Sequence, residues 1–145
     1  ACAIPAILSN QSSDVINICK DFGGHIGTAF QLTDDLLDYY GTETEIGKKL
    51  GDDLREGKAT LPLIRLISTG DEKTVNLVKE SIANPYEAPF EKIVHLITSS
   101  DAIDYTRKKA LRQCKSAEIC LEKLEENDAK KDLLNFVSFI HERKG

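Results

Sequence analysis

From position 15 onward, apolar or small side chains recur at three- and four-residue steps: Val15, Cys19, Phe22, Ile26, Ala29, Thr33, Leu36 and Tyr40. That spacing places them on one face of a helix. A second stripe, Gly24, Gly27, Gln31, Asp34 and Asp38, lies about a third of a turn away at about 3.6 residues per turn. It is small, then polar, then anionic, like the wall of a cavity. Residues 22–33 contain no Asp, Glu, Lys or Arg, which predicts burial of this helix on nearly all sides. Upstream, "ACAIPAILSN" reads as the tail of a helix, and 10–13 is a polar break in which Ser12 or Ser13 starts the long helix.

Beyond Tyr40 the pattern changes. Gly41, Gly47, Gly51 and Gly57 punctuate a charged segment, which reads as a loop with one short helical turn. Thr60 suits a helix cap and Pro62 its first turn, so "LPLIRLIST" is a helix that stops at Gly70. Asp71 begins another, running to about Ala83, before "NPYEAP" breaks the chain. Helices follow around 90–98 and 101–124, the second starting behind Ser99 and Ser100. A last helix over roughly 128–143 carries Leu133, Leu134, Val137 and Ile140 as its apolar face. No alternating strand pattern and no internal repeat intervenes. The chain is expected to be all-α and to form one helical unit.

Composition narrows the class. At 145 residues the chain is long enough for one domain with a real core. A net charge of -5 without a basic stripe argues against nucleic acid as a partner. No window approaches the roughly 18 to 20 apolar residues of a membrane span, and the start does not read as a signal peptide. Methionine is absent, including at position 1, so the chain is expected to be part of a longer protein. Cys2, Cys19, Cys114 and Cys120 form no C-x-x-C pair; reduced thiols in or near a cytoplasmic protein's core are the expectation.

Candidate chemistry gathers at two places. In "FQLTDDLLDYY", Asp34 and Asp38 are one helical turn apart and share a face, with Asp35 displaced by about 100°. Like charges at that spacing repel unless a cation lies between them. Asp oxygens are hard ligands suited to Mg²⁺, which takes one or two carboxylates and fills its other positions with water and phosphate oxygens. The bland alternative is a solvated acidic helix end, against which the neutral Gly and Gln stripe one turn earlier weighs. In "GKKLGDDLREGKAT", Lys48 and Lys58 bring cations, and the glycines beside them let backbone N–H groups approach an anion. Alone, this is a solvated charged turn. It is not a Walker A loop: Gly51 is one residue too far from Gly57, and Ala59 follows Lys58. His25 reads as a packed core histidine, and Arg107, Lys108 and Lys109 as a solvated helix face. No Ser/His/Asp grouping appears.

"GTAFQLTDDLLDY" followed by "GKKLGDDLREGKATLPLI" strongly resembles the trans-polyprenyl diphosphate synthases, especially the octaprenyl-type long-chain enzymes. The weaker helical remainder resembles the family's C-terminal part. The resemblance implies that 1–145 is the C-terminal half of a synthase domain, within the isoprenoid synthase helical bundle. It implies prenyl transfer from an allylic prenyl diphosphate to isopentenyl diphosphate, assisted by Mg²⁺. Asp34, Asp35 and Asp38 would face the active site as metal ligands, Asp34 foremost. Lys48 and Lys58 would hold the allylic diphosphate, and Phe30 and Gln31 would line the homoallylic position. Arg143 and Lys144 correspond to a basic C-terminus that some members bring near a diphosphate. The family's first aspartate-rich motif would lie upstream, in a missing N-terminal half, and the assembly would be a homodimer.

Three rivals remain at this level. A terpene cyclase ionises the same kind of substrate with similar aspartates, although the "GDDLREGKATLP" loop favours chain elongation. A non-catalytic subunit would hold metal and diphosphate for a partner chain. A helical scaffold with an acidic patch would bind neither.

Overall fold

The computed structural model describes residues 1–40 and 51–143. Among them are eight α-helices and no strand: α1 (Ala3–Leu8), α2 (Ser13–Tyr40), α3 (Asp52–Arg55), α4 (Leu61–Thr69), α5 (Glu72–Ala83), α6 (Phe90–Ser99), α7 (Ala102–Glu122) and α8 (Asp128–Glu142). A 3-10 turn at Pro85–Glu87 occupies the expected break. The ends follow from local capping. Ser12 Oγ accepts the Val15 N–H at 3.3 Å, so the polar break starts α2 as its composition predicts. Asp71 and Asn127 do the same for α5 and α8, accepting from Thr74 and Lys130.

Where the pattern predicted one helical unit, the contacts divide the chain into two compact units. The first comprises 1–31 and 109–143, the second 32–108. Two helices, α2 and α7, are long enough to contribute to both.

In the first unit, Phe22, Ile26 and Ala29 of α2 pack against Cys114, Ala117 and Leu121 of α7 and Val137 and Ile140 of α8. Each set follows three- and four-residue steps, so each helix presents one stripe to a shared core. The expected burial of α2 on nearly all sides is not found. Gly24, Gly27 and Thr28 are exposed, and a Cβ at Gly24 or Gly27 would meet nothing within 4 Å. The neighbours within this unit bury the Phe22–Ala29 stripe and partly cover Gly23 and His25, so lack of charge along a helix did not guarantee cover on every side. Cys114 and Cys120 are buried, Cys2 and Cys19 partly so, and all four thiols are free. His25 is partly buried at the edge of this core, with Nδ1 hydrogen-bonded to Gln113 Oε1 at 2.7 Å.

The second unit closes around Tyr39, Leu54, Leu63, Leu66, Val78, Ile93, Ile97 and Ala102. At its edge Arg65 Nε donates to Asp101 Oδ1 at 3.0 Å, and the guanidinium lies 4.5 Å from the centroid of the Tyr105 ring. Arg107 and Lys108, two residues of the short basic run, pair with Asp104 on an exposed face of α7.

Candidate functional site

The acidic end of α2 is tied to the segment that follows it. Gly51 N–H donates to the Asp38 carbonyl at 2.8 Å. Two residues on, the Asp53 N–H donates to Asp38 Oδ2 at 3.1 Å. Gly51 must be glycine: its φ is +77°, and a Cβ there would lie 1.7 Å from Cε2 of the Phe90 ring. Asp35 makes the equivalent link one turn earlier, its Oδ2 accepting the Leu61 N–H at 3.3 Å at the start of α4. Both carboxylates are buried, Asp38 completely. A buried carboxylate is costly unless hydrogen-bonded, and N–H groups at helix starts are favourable donors for it.

Thr60 stands at the N-cap of α4, as its position in the sequence predicts, but its side chain does not cap the helix. Its hydroxyl hydrogen-bonds instead to the buried Tyr39 hydroxyl at 2.8 Å, while Asp35 receives the helix's first N–H. Burial pushes the Tyr39 phenol well above its ordinary range.

Lys58 is delivered by the turn that ends α3. Gly57, at φ +72°, donates to the Leu54 carbonyl at 3.0 Å, and the Lys58 N–H donates to the Asp53 carbonyl at 2.9 Å. This left-handed glycine closure reverses the chain. The Lys58 side chain then reaches back, with Nζ 3.0 Å from Asp53 Oδ1 and 2.6 Å from Glu56 Oε2. Hydrogen bonds that its ammonium donates to Glu56 first and Asp53 second hold it firmly protonated, above its ordinary range.

The sequence-predicted residues therefore separate. Asp34, Asp35, Asp38 and Lys58 belong to the second unit, and Asp34 is only partly buried. Phe30 and Gln31, both exposed, belong to the first. There the Arg143 guanidinium lies 5.2 Å from the Phe30 ring centroid, a cation–π contact. Lys48 and Lys144 lie outside the described residues. No cluster of three or more His, Cys, Asp or Glu poised to hold a metal occurs among the described residues. Sequence reasoning missed Asp53 and Glu56 as partners of Lys58. Their one signal was spacing, five and two residues before the lysine across Gly57.

A family model for polyprenyl synthetase matches residues 1–97, the stretch that contains all of these carboxylates and Lys58. The chain belongs to the polyprenyl synthetase family. It is 37% identical over 124 residues to an all-trans-nonaprenyl-diphosphate synthase (geranyl-diphosphate specific) of Rhodobacter capsulatus, covering 86% of this chain and 38% of that protein. An octaprenyl diphosphate synthase of Haemophilus influenzae is 36% identical over 118 residues, covering 80% of this chain and 36% of the relative. Among solved structures, the Caulobacter crescentus polyprenyl synthase complexed with calcium and isoprenyl diphosphate superposes with a TM-score of 0.83. It is 33% identical and covers 96% of this chain and 43% of its own. The fold of this family member is accordingly that of the isoprenoid synthase helical bundle, over about two fifths of its relatives' length.

Proposed function

We propose that this chain is the part of a trans-polyprenyl diphosphate synthase that grips the diphosphate of an allylic substrate while isopentenyl diphosphate is joined to its prenyl chain. One observation carries the reading. Within a single unit, the aspartate-rich end of α2 is hydrogen-bonded to the segment that presents Lys58. The carboxylates proposed to hold the metal and the cation proposed for the diphosphate thus come from one connected structure.

The donor set fits Mg²⁺, which needs only one or two carboxylates beside water and phosphate oxygens. Asp34, partly buried, is the leading ligand. Asp35 and Asp38 each accept a backbone N–H with one oxygen, which fixes their carboxyl groups. When bound, Mg²⁺ offsets the negative charge that develops on the departing diphosphate. Lys58 contributes a fixed positive charge to the same group, and Lys48 is proposed to add a second. Phe30 and Gln31 are proposed to line the isopentenyl diphosphate position. The run 22–33 carries no Asp, Glu, Lys or Arg, and its imidazole, His25, is engaged by Gln113, which suits an allylic cation that water or a nucleophile would quench. No side chain of this chain is needed as a nucleophile, and the C–H proton that the isopentenyl unit loses as its new double bond forms goes to the departing diphosphate. The first aspartate-rich motif is assigned to residues preceding this chain, and the working assembly to a homodimer.

The alternative reading is a non-catalytic subunit that holds metal and diphosphate for a partner. One experiment separates the two. The chain is assembled with an independently made preceding half, and Mg²⁺-dependent prenyl transfer is assayed. Transfer that is restored, then abolished by Asp34→Ala, supports the synthase. Assembly without transfer supports the binding subunit.

A further inference from the structure

Two carboxylates meet the Lys58 ammonium, and they differ in every property that governs mobility. Asp53 is 5% exposed. Its N–H is bonded to Asp38, its carbonyl to the Lys58 N–H, and its carboxylate to Lys58 Nζ, so it is held at three points. The Glu56 side chain is 61% exposed and reaches Lys58 Nζ from the solvent side at 2.6 Å. Holding a long exposed side chain in one ion-pair geometry costs most of what the pair gains. An ammonium has three donors, and here one is taken by a fixed acceptor and one by a loose one.

We infer that Asp53 and Glu56 divide two tasks at Lys58: Asp53 is a positioning residue that fixes the ammonium, and Glu56 is a resident competitor that an incoming diphosphate oxygen displaces. The inference rests on the diphosphate role proposed for Lys58. A carboxylate oxygen and a diphosphate oxygen make the same kind of charge-assisted hydrogen bond. The diphosphate carries more charge and exchanges against a weak, solvated pair. Asp53 is not exchanged, because its position is set by the backbone of α3 and by Asp38. It keeps one donor of Lys58 occupied and the ammonium directed while the other donors change partner.

The sign of the effects separates this division from a simple field effect. Both residues carry one negative charge against the same ammonium, so field alone makes neutralising either one tighten anion binding. The inference predicts opposite signs. Inorganic pyrophosphate with Mg²⁺ is titrated calorimetrically into the intact protein, its Glu56→Gln and Asp53→Asn variants, Lys58→Ala, and the Asp53→Asn/Lys58→Ala pair. Glu56→Gln is expected to tighten binding about two- to fivefold. Asp53→Asn is expected to weaken it about three- to tenfold, and to add nothing once Lys58 is gone. Tightening by both single variants, or a loss from Asp53→Asn that persists undiminished without Lys58, overturns the inference and leaves the role of Lys58 standing. Unchanged binding by Lys58→Ala overturns that role and the inference with it. Glu56 is solvent-exposed, so its arm stands whatever Asp53→Asn does to folding, and unchanged or weaker binding by Glu56→Gln is contradictory by itself.

Discussion

The carboxylate of Asp38 accepts the backbone N–H of Asp53 at 3.1 Å, joining two points 15 residues apart in sequence with a completely buried side chain at one end. Asp38→Ala removes the acceptor and leaves the donor buried. The expected cost is about 1–3 kcal/mol of stability, read from urea denaturation. Asp34, one turn earlier and partly exposed, is expected to cost less than about 1 kcal/mol on truncation to Ala. Equal losses from the two variants contradict this division between a structural and an available carboxylate.

Tyr39 and Thr60 make the corresponding prediction for the neutral pair. Tyr39→Phe strands the buried Thr60 hydroxyl and is expected to cost about 1–2 kcal/mol. Burial raises the phenol from its ordinary value of 10.0, so the folded state favours the neutral form. That contribution is complete below pH 10.0 and is lost as pH rises from there through the folded value. Denaturation midpoints measured from pH 8 upward should fall more steeply above about pH 10 in the parent than in Tyr39→Phe. Parallel curves for the two proteins tell against a raised Tyr39.

At the acid end, the Arg65 guanidinium holds the Asp101 carboxyl below its ordinary value of 3.8. The stability this pair supplies is present above pH 3.8 and is lost as pH falls through the folded value. Asp101→Asn should therefore flatten the acid limb of the stability profile below about pH 4. An acid limb identical in the two proteins removes the pair from the account.

Gly51 tests the backbone at the start of α3. Its positive φ and the Phe90 ring 1.7 Å from a prospective Cβ both exclude a side chain. Gly51→Ala is expected to cost more than about 2 kcal/mol and to loosen the hydrogen bond from Gly51 N–H to the Asp38 carbonyl. Amide exchange at Gly51 and Asp53 that stays as slow as in the parent is the contrary result.

Much of the helix order was legible because periodicity and capping are local. Val15 to Leu36 marks a face at three- and four-residue steps, and Ser12, Asp71 and Asn127 stand beside the helices they cap. What escaped was non-local. Nothing in the residue pattern links Asp38 to Asp53 or Asp35 to Leu61, because those bonds join residues 15 and 26 apart in sequence. The open face at Gly24 and Gly27 escaped for another reason: absence of charge along a helix reports polarity and not the presence of a neighbour. Thr60 illustrates the non-local case, since a capping residue in the right place spends its hydroxyl on Tyr39. The aspartates and Lys58 were visible as chemistry, whereas the carboxylates that hold Lys58 emerged only with the fold.

The central claim is that the acidic helix end and Lys58 serve one metal-bound diphosphate. Titrating inorganic pyrophosphate into the intact protein, with and without Mg²⁺, tests it most directly. The account predicts saturable heat only when Mg²⁺ is present, abolished by Asp34→Ala. Pyrophosphate binding that is indifferent to Mg²⁺, or that survives Asp34→Ala unchanged, contradicts it.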